Sequence, residues 1–151
     1  MTAPEESPRP RYSDVGRPVL TQAWTRLTYL HWPYDPAVVR PFLPRGVEPD
    51  TWNGTTWVGL IPFAMQRIGV LGGRRVPGAS DFLETNVRLY GVDGQGRHGV
   101  VFLSLDADRP LPVVAARLSY RLPYIWSSMA LHQQGDVLTY TTRRRRTSVI
   151  P

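Results

Sequence analysis

Asn53-Gly54 is the dipeptide that most narrows what this chain can become. A two-residue type I′ turn needs positive φ at both central positions, and this pair supplies them at the least steric cost. Val47 to Trp52 precede it and Thr55 to Arg67 follow, both rich in apolar, β-branched and aromatic residues, so the spacing predicts a β-hairpin of these two runs. Breaks of the same kind recur throughout, with 15 Pro and 13 Gly in 151 residues. Elements between such breaks are short, which favours strands joined by turns over a helical bundle.

The remaining segments fit that expectation. Val19 to Leu30 reads as one strand, with Gln22, Trp24, Arg26 and Thr28 on one face and Ala23, Thr25, Leu27 and Tyr29 on the other. HWPYDP, His31 to Pro36, breaks it; Asp35 then caps a short helix with Pro36 at its first position and Ala37 to Phe42 filling it, until Pro44 and Gly46 stop it. Leu71 to Ser80 reads as a mobile loop of the kind that borders sites. Phe82 to Val92 and Val100 to Asp106 form a second hairpin across DGQGRHG. Pro110 to Tyr120 reads as a helix ended by Pro123, and Tyr124 to His132 pairs with Val137 to Arg145 around Gln133-Gln134-Gly135-Asp136. The expected organisation is a disordered tail over 1–14, a single β-rich domain over 15–146 and a short C-terminal tail over 147–151.

Composition excludes several chemistries. There is no lysine and no cysteine, so no lysine Schiff base, thiolate or cysteine metal site is available. His31, His98 and His132 are widely separated, none has a partner at i+2 or i+4 that would seat a metal, and no metal is expected. No GxSxG elbow, P-loop or dinucleotide fingerprint occurs, Leu71 to Arg75 being only a flexible loop, and no cofactor is expected. No apolar run approaches the ~20 residues of a membrane helix. Met1 to Tyr12 lacks the apolar core of a signal peptide, and a cytoplasmic location follows.

The formal charge of +6 comes largely from Arg143 to Arg146; without them 14 arginines face 12 acidic residues. A basic run at the chain end without interleaved aromatics argues against nucleic acid and reads as a frayed, solvated end.

The candidate chemistry lies on Phe82 to Tyr90. Period-two alternation puts Phe82, Glu84, Asn86, Arg88 and Tyr90 on one face and Leu83, Thr85, Val87 and Leu89 on the other. Two readings stay open. The polar ladder either faces water, with Glu84 and Arg88 as a weak surface pair, or lines the inside of a curled sheet, where Arg88 suits a planar carboxylate and Asn86 orients it. Arg26 is a second candidate for an anion contact, against the alternative of a solvated strand arginine. Trp24 and Trp32 read as core or cavity wall, and His31 as a side-chain cap on the first strand.

HWPYDP, FLETNVRLYG at Phe82 to Gly91, and FLSLDAD followed by AARLSYRLPY at Phe102 to Tyr124 together resemble the uncharacterised DUF2071 (YqjF-like) family, related in fold to acetoacetate decarboxylase. The resemblance runs from about Thr21 to Arg145. It implies an α+β, mainly β fold: an antiparallel conical or barrel-like sheet with short helices around a cavity, which favours the inward reading of the ladder. It also implies that Glu84 sits where the decarboxylases keep a cavity glutamate and Arg26 near their substrate arginine. Decarboxylases of this fold attack a β-keto acid with a lysine amine; here the matching stretch offers Arg117 and Arg121, and a guanidinium forms no imine. Relatives run longer, so either the last strands are missing and an open edge seeks a partner, a homo-oligomer included, or the chain is a truncated product.

The leading expectation is a cavity that binds a small polar or carboxylate-bearing metabolite through Arg26, Asn86, Arg88 and Arg117, with Tyr120 and Tyr124 as wall or donors. Glu84 is the acid or base if chemistry occurs. The alternatives are a lysine-independent acid/base enzyme using Glu84 and an interaction protein using the open edge and Arg143 to Arg146.

Overall fold

The computed structural model describes residues 20–70, 74–75, 81–110 and 122–145. Its strands are β1 (Leu20–Thr25), β2 (Leu30–Tyr34), β3 (Val47–Pro49), β4 (Thr56–Val70), β5 (Arg74–Arg75), β6 (Phe82–Asp93), β7 (His98–Ala107), β8 (Tyr124–Gln134) and β9 (Val137–Arg144). The terminal tails and the helix expected over Pro110 to Tyr120 fall outside the described residues, apart from Pro110. So does most of the loop expected over Leu71 to Ser80, although Arg74–Arg75 pair with Gly69 and Val70 of β4. Among the described residues no helix is long and apolar enough to cross a membrane.

Among the described residues the chain is mainly β, with one short helix, α1 (Pro36–Val39), running on into a 3₁₀ turn at Arg40–Phe42. Its start follows the sequence: the Asp35 carboxylate accepts from Ala37 N at 2.8 Å, and Pro36 occupies the first turn, where a missing N–H costs nothing.

Long strand β4 organises the sheet, whose order is β1-β4-β6-β7-β8-β9. One edge of β4 is shared, by β2 against Thr56 to Leu60 and by β1 against Ala64 to Val70. The expected single strand over Val19 to Leu30 is therefore two strands. The chain breaks at Arg26, whose φ is 50°, and HWPY continues as β2 instead of ending the strand. The cause sits opposite. Pro62 accepts from Thr28 N through its carbonyl but has no N–H to return, and the surplus residue on the outer strands forms the bulge at which proline is tolerated. Face alternation consequently does not carry through from Trp24 to Thr28.

The Asn53-Gly54 turn forms as expected, with φ of 52° and 77° and paired hydrogen bonds between Trp52 and Thr55. Its flanks do not form the expected hairpin, because β3 leaves to pair with Gly91 to Asp93 on β6. Gly91 makes that approach feasible: a Cβ there would lie 2.5 Å from Val47 Cγ1. The β6–β7 hairpin is as expected, with a bulge between Val87 and Arg88.

Two features differ from an antiparallel barrel. Leu105 to Ala107 of β7 pair with Tyr124 to Trp126 of β8 in parallel, so the sheet is mixed. It is also not closed among the described residues. Beyond Trp126, β8 pairs with β9, and this hairpin brings Thr142 to within 3.5 Å of Thr85 and the Tyr140 hydroxyl onto the Arg26 carbonyl. The core packs on the face bearing Ile61, Phe63, Met65, Phe82 and Ala107, with Leu27, Ile68 and Tyr124 against it.

Candidate functional site

Cross-strand register decides which side chains meet. Glu84 stands between Phe63 of β4 and Ala107 of β7, and Asn86 between Ile61 and Leu105. Leu105 faces Tyr124 and Ala107 faces Trp126 across the parallel pairing. Glu84 and Asn86 are therefore set into the apolar core face, with 3% and 1% of their surface exposed, and not into water.

Burial among apolar neighbours penalises the charged carboxylate, and the Glu84 pKa rises from 4.5 to about 7. Hydrogen bonds from Tyr124, whose hydroxyl donates at 3.0 Å, and from Asn86 pull the other way without cancelling desolvation. The Tyr124 phenol is raised as well, by burial first and by the Glu84 charge second. The result is a carboxyl that holds or releases a proton near neutrality, beside a phenol that stays protonated. Two buried polar atoms on this face, Asn86 Oδ1 and Trp126 Nε1, have no hydrogen-bond partner among the described residues.

Arg88 does not pair with Glu84. Four residues along a strand separate them, roughly 13 Å between backbones. The Arg88 guanidinium instead lies 5.2 Å from the Tyr29 ring centroid and 5.1 Å from that of Tyr90, and its Nε donates to the Tyr90 oxygen at 2.7 Å. That oxygen also lies 2.6 Å from His31 Nε2. Arg88 Nε can only donate, so the Tyr90 oxygen accepts from it, while His31 Nε2 donates to or accepts from that oxygen according to its tautomer. The terminal nitrogens of Arg88 have no hydrogen-bond partner among the described residues. Beneath this chain lies Gly59, paired with His31 on one side and Arg88 on the other; a Cβ there would stand 3.1 Å from His31 Nε2 and 3.3 Å from the Tyr90 oxygen.

At the outer end of the same face His31 and Tyr90 join Asp50, Thr51, Trp52 and Trp57 around an open depression of about 360 Å³. Strand β6 thus carries, in order, a buried carboxyl, a buried amide, a stacked guanidinium and a phenol at the rim of this depression. His31 is a member of this cluster and does not cap a strand end.

Arg26 is elsewhere. It is exposed and lines a different depression with Asp81, Leu83, Asp108 and Leu131. Arg117 and Tyr120 lie outside the described residues. Trp24 stacks on Phe63, with centroids 4.7 Å apart, yet like Trp32 on the edge strand it is exposed, at 41% against 47%, so neither is a core residue. Among the described residues no three His, Asp or Glu side chains gather as a metal set.

The arginine run is not uniformly a solvated end. Arg144 donates through Nε and Nη2 to both oxygens of Asp106 at 2.9 Å and through Nη2 to Ser104, and Ser127 donates to Asp106 at 2.6 Å. Asp106 is 4% exposed, so this fork neutralises a buried charge on the face opposite Glu84. Arg145 lies over the Trp126 ring at 4.4 Å, and Arg146 is outside the described residues.

Residues 21–150 match the family DUF2071, described as an uncharacterized conserved protein. A relative from Bacillus subtilis (strain 168), the uncharacterized protein YqjF, is 35% identical over 127 residues, covering 84% of this chain and 52% of its own. Among solved structures, the enduracididine biosynthesis enzyme MppR, complexed with the condensation product of pyruvate and imidazole 4-carboxaldehyde, aligns with a TM-score of 0.56 at 16% identity, covering 83% of this chain and 52% of MppR. MppR complexed with pyruvate aligns with a TM-score of 0.54 at 17% identity, over 78% and 51%. The shared fold is that of the acetoacetate decarboxylase-like proteins. The chain spans about half the length of these relatives.

Proposed function

The chain belongs to the DUF2071 family of uncharacterized conserved proteins, and from that premise we propose that it binds a small polar metabolite bearing a carboxylate, without Schiff-base chemistry. The observation that carries this reading is the state of Arg88. Its guanidinium is stacked on two tyrosine rings and fixed through Nε, while its outer fork lacks a partner among the described residues. A planar cation held in this way has already lost the rotamer freedom that carboxylate binding would otherwise cost. Asn86 Oδ1, buried and without a hydrogen-bond partner among the described residues, can accept from a donor group on the ligand deeper along the same strand.

Support for the fold's capacity comes from MppR, whose structures contain pyruvate and a pyruvate condensation product. Pyruvate is therefore the first probe. It should raise the thermal midpoint of the wild type, and Arg88→Ala should abolish the rise; an equal rise in the variant removes Arg88 from the role.

A second reading is favoured by Glu84 itself. A carboxyl with a pKa pushed up to about 7 is matched to proton transfer at neutral pH, so Glu84 and its donors, roughly 13 Å along the strand from Arg88, suit acid/base chemistry on a keto acid or related small molecule. Here Glu84 moves the proton while Tyr124 and Asn86 orient it. Turnover of β-keto acids or small esters that Glu84→Gln lowers by about tenfold or more supports catalysis, since general acid–base catalysis contributes at least this much. Ligand-dependent stabilisation without turnover leaves the binding role alone.

A further inference from the structure

The depression beside Tyr90 is built differently from the inner part of this face. Its members include Trp52, which is 71% exposed, and Trp57, at 36%. Trp52 is not loose. The type I′ turn at Asn53-Gly54 fixes its backbone through hydrogen bonds of 2.9 and 3.1 Å to Thr55. Trp57 is fixed too, paired with Pro33 on the edge of β4. Two indoles on fixed backbone, standing open around a cleft, are typical of recognition surfaces, because each supplies large apolar area on only two side-chain torsions.

Resting on the carboxylate reading above, we propose that this depression takes a planar aromatic ring, so that the ligand is an aryl-bearing carboxylate with its anion on Arg88 and its ring against Trp52 and Trp57. Geometry connects the two halves. The Arg88 Nε is 2.7 Å from the Tyr90 oxygen, and Tyr90 itself lines the depression, so a short linker between ring and carboxylate spans both. The floor is kept low by Gly59, where any side chain would meet His31 and Tyr90. Charge favours an acid over an amine. The carboxylate at the rim, Asp50, is already engaged by His98 Nδ1 at 2.7 Å, whereas the fork of Arg88 has no partner among the described residues. A volume of about 360 Å³ accommodates one or two rings and excludes large polymers.

Calorimetric titration of the whole chain with four probes tests this: propionate, 3-phenylpropionate, 3-cyclohexylpropionate and 2-phenylethylamine. The phenyl acid should bind about tenfold or more tighter than propionate and measurably tighter than its non-planar cyclohexyl counterpart, and the amine should not compete. Trp52→Ala should erase most of the ring advantage yet leave propionate binding unchanged; because Trp52 lies outside the core, that unchanged propionate binding also certifies a folded variant. Propionate binding with no preference for the ring, an advantage that survives in Trp52→Ala, or a preference for the amine overturns the aryl inference while the carboxylate reading stands. If none of the acids binds, both readings fall together.

Discussion

The Tyr124 hydroxyl donates to the Glu84 carboxylate at 3.0 Å inside a face made of Phe63, Ile61 and Ala107. The charge-holding group is thus buried while its donor is partly so, and the free energy of keeping that charge becomes visible in the pH dependence of folding.

The Glu84 pKa is raised in the folded chain to about 7 from 4.5. Between those values the folded state binds more protons than the unfolded one, so stability falls as pH rises from 4.5 to 7 and levels off above. The loss is on the order of 3 kcal/mol at about 1.4 kcal/mol per unit. Chemical denaturation at pH 5 and pH 8 should show it, and Glu84→Gln should flatten the difference; a slope unchanged in the variant removes Glu84 as its source.

Tyr124→Phe removes the larger of the two hydrogen bonds that lower the Glu84 pKa. The midpoint of Glu84 titration, followed by carboxyl NMR, should therefore move above its wild-type value. A downward move contradicts the assigned direction of the bond.

Arg143 and Arg144 are neighbours of identical type with different expected costs. Arg144→Ala strips a buried carboxylate of its bidentate partner and should cost on the order of 2–3 kcal/mol. Arg143 is exposed, and Arg143→Ala should stay within about 0.5 kcal/mol. Equal effects in urea melts would mean that Asp106 finds its compensation elsewhere.

Gly59→Ala should force His31 and Tyr90 apart, since the new methyl would contact both and would meet Ile61 Cδ1 at 2.8 Å. A loss of about 1–3 kcal/mol is expected from overpacking, together with altered His31 ring chemical shifts. Wild-type shifts in a stable variant would show that the floor can yield.

What could be read from the sequence was what local geometry determines. The Asp35 cap and the Asn53-Gly54 turn depend on residues within a few positions, and both form. The alternation over Phe82 to Tyr90 also survives, because β6 is bordered on both sides and one residue of slip would exchange its faces. Long-range pairing was not legible. His31 reaches Tyr90 only because Pro62 divides the outer edge of β4 into two partners, and β3 reaches β6 only because Gly91 admits Val47. Arg144 looked like one of four equivalent cations until the β8–β9 hairpin set it against Asp106.

The break opposite Pro62 has a consequence for how the sheet opens. On its inner side β4 is held by β6 from Val58 to Met65, but its outer side is covered by two short pieces that meet at a residue with no N–H to share. β1 carries Trp24 and β2 carries His31, so the Trp24–Phe63 stack and the rim of the site hang on separate hinges. Either piece can lift for the free energy of its own few hydrogen bonds, well below that of melting the whole sheet. Hydrogen exchange should register β1 and β2 as two separate events.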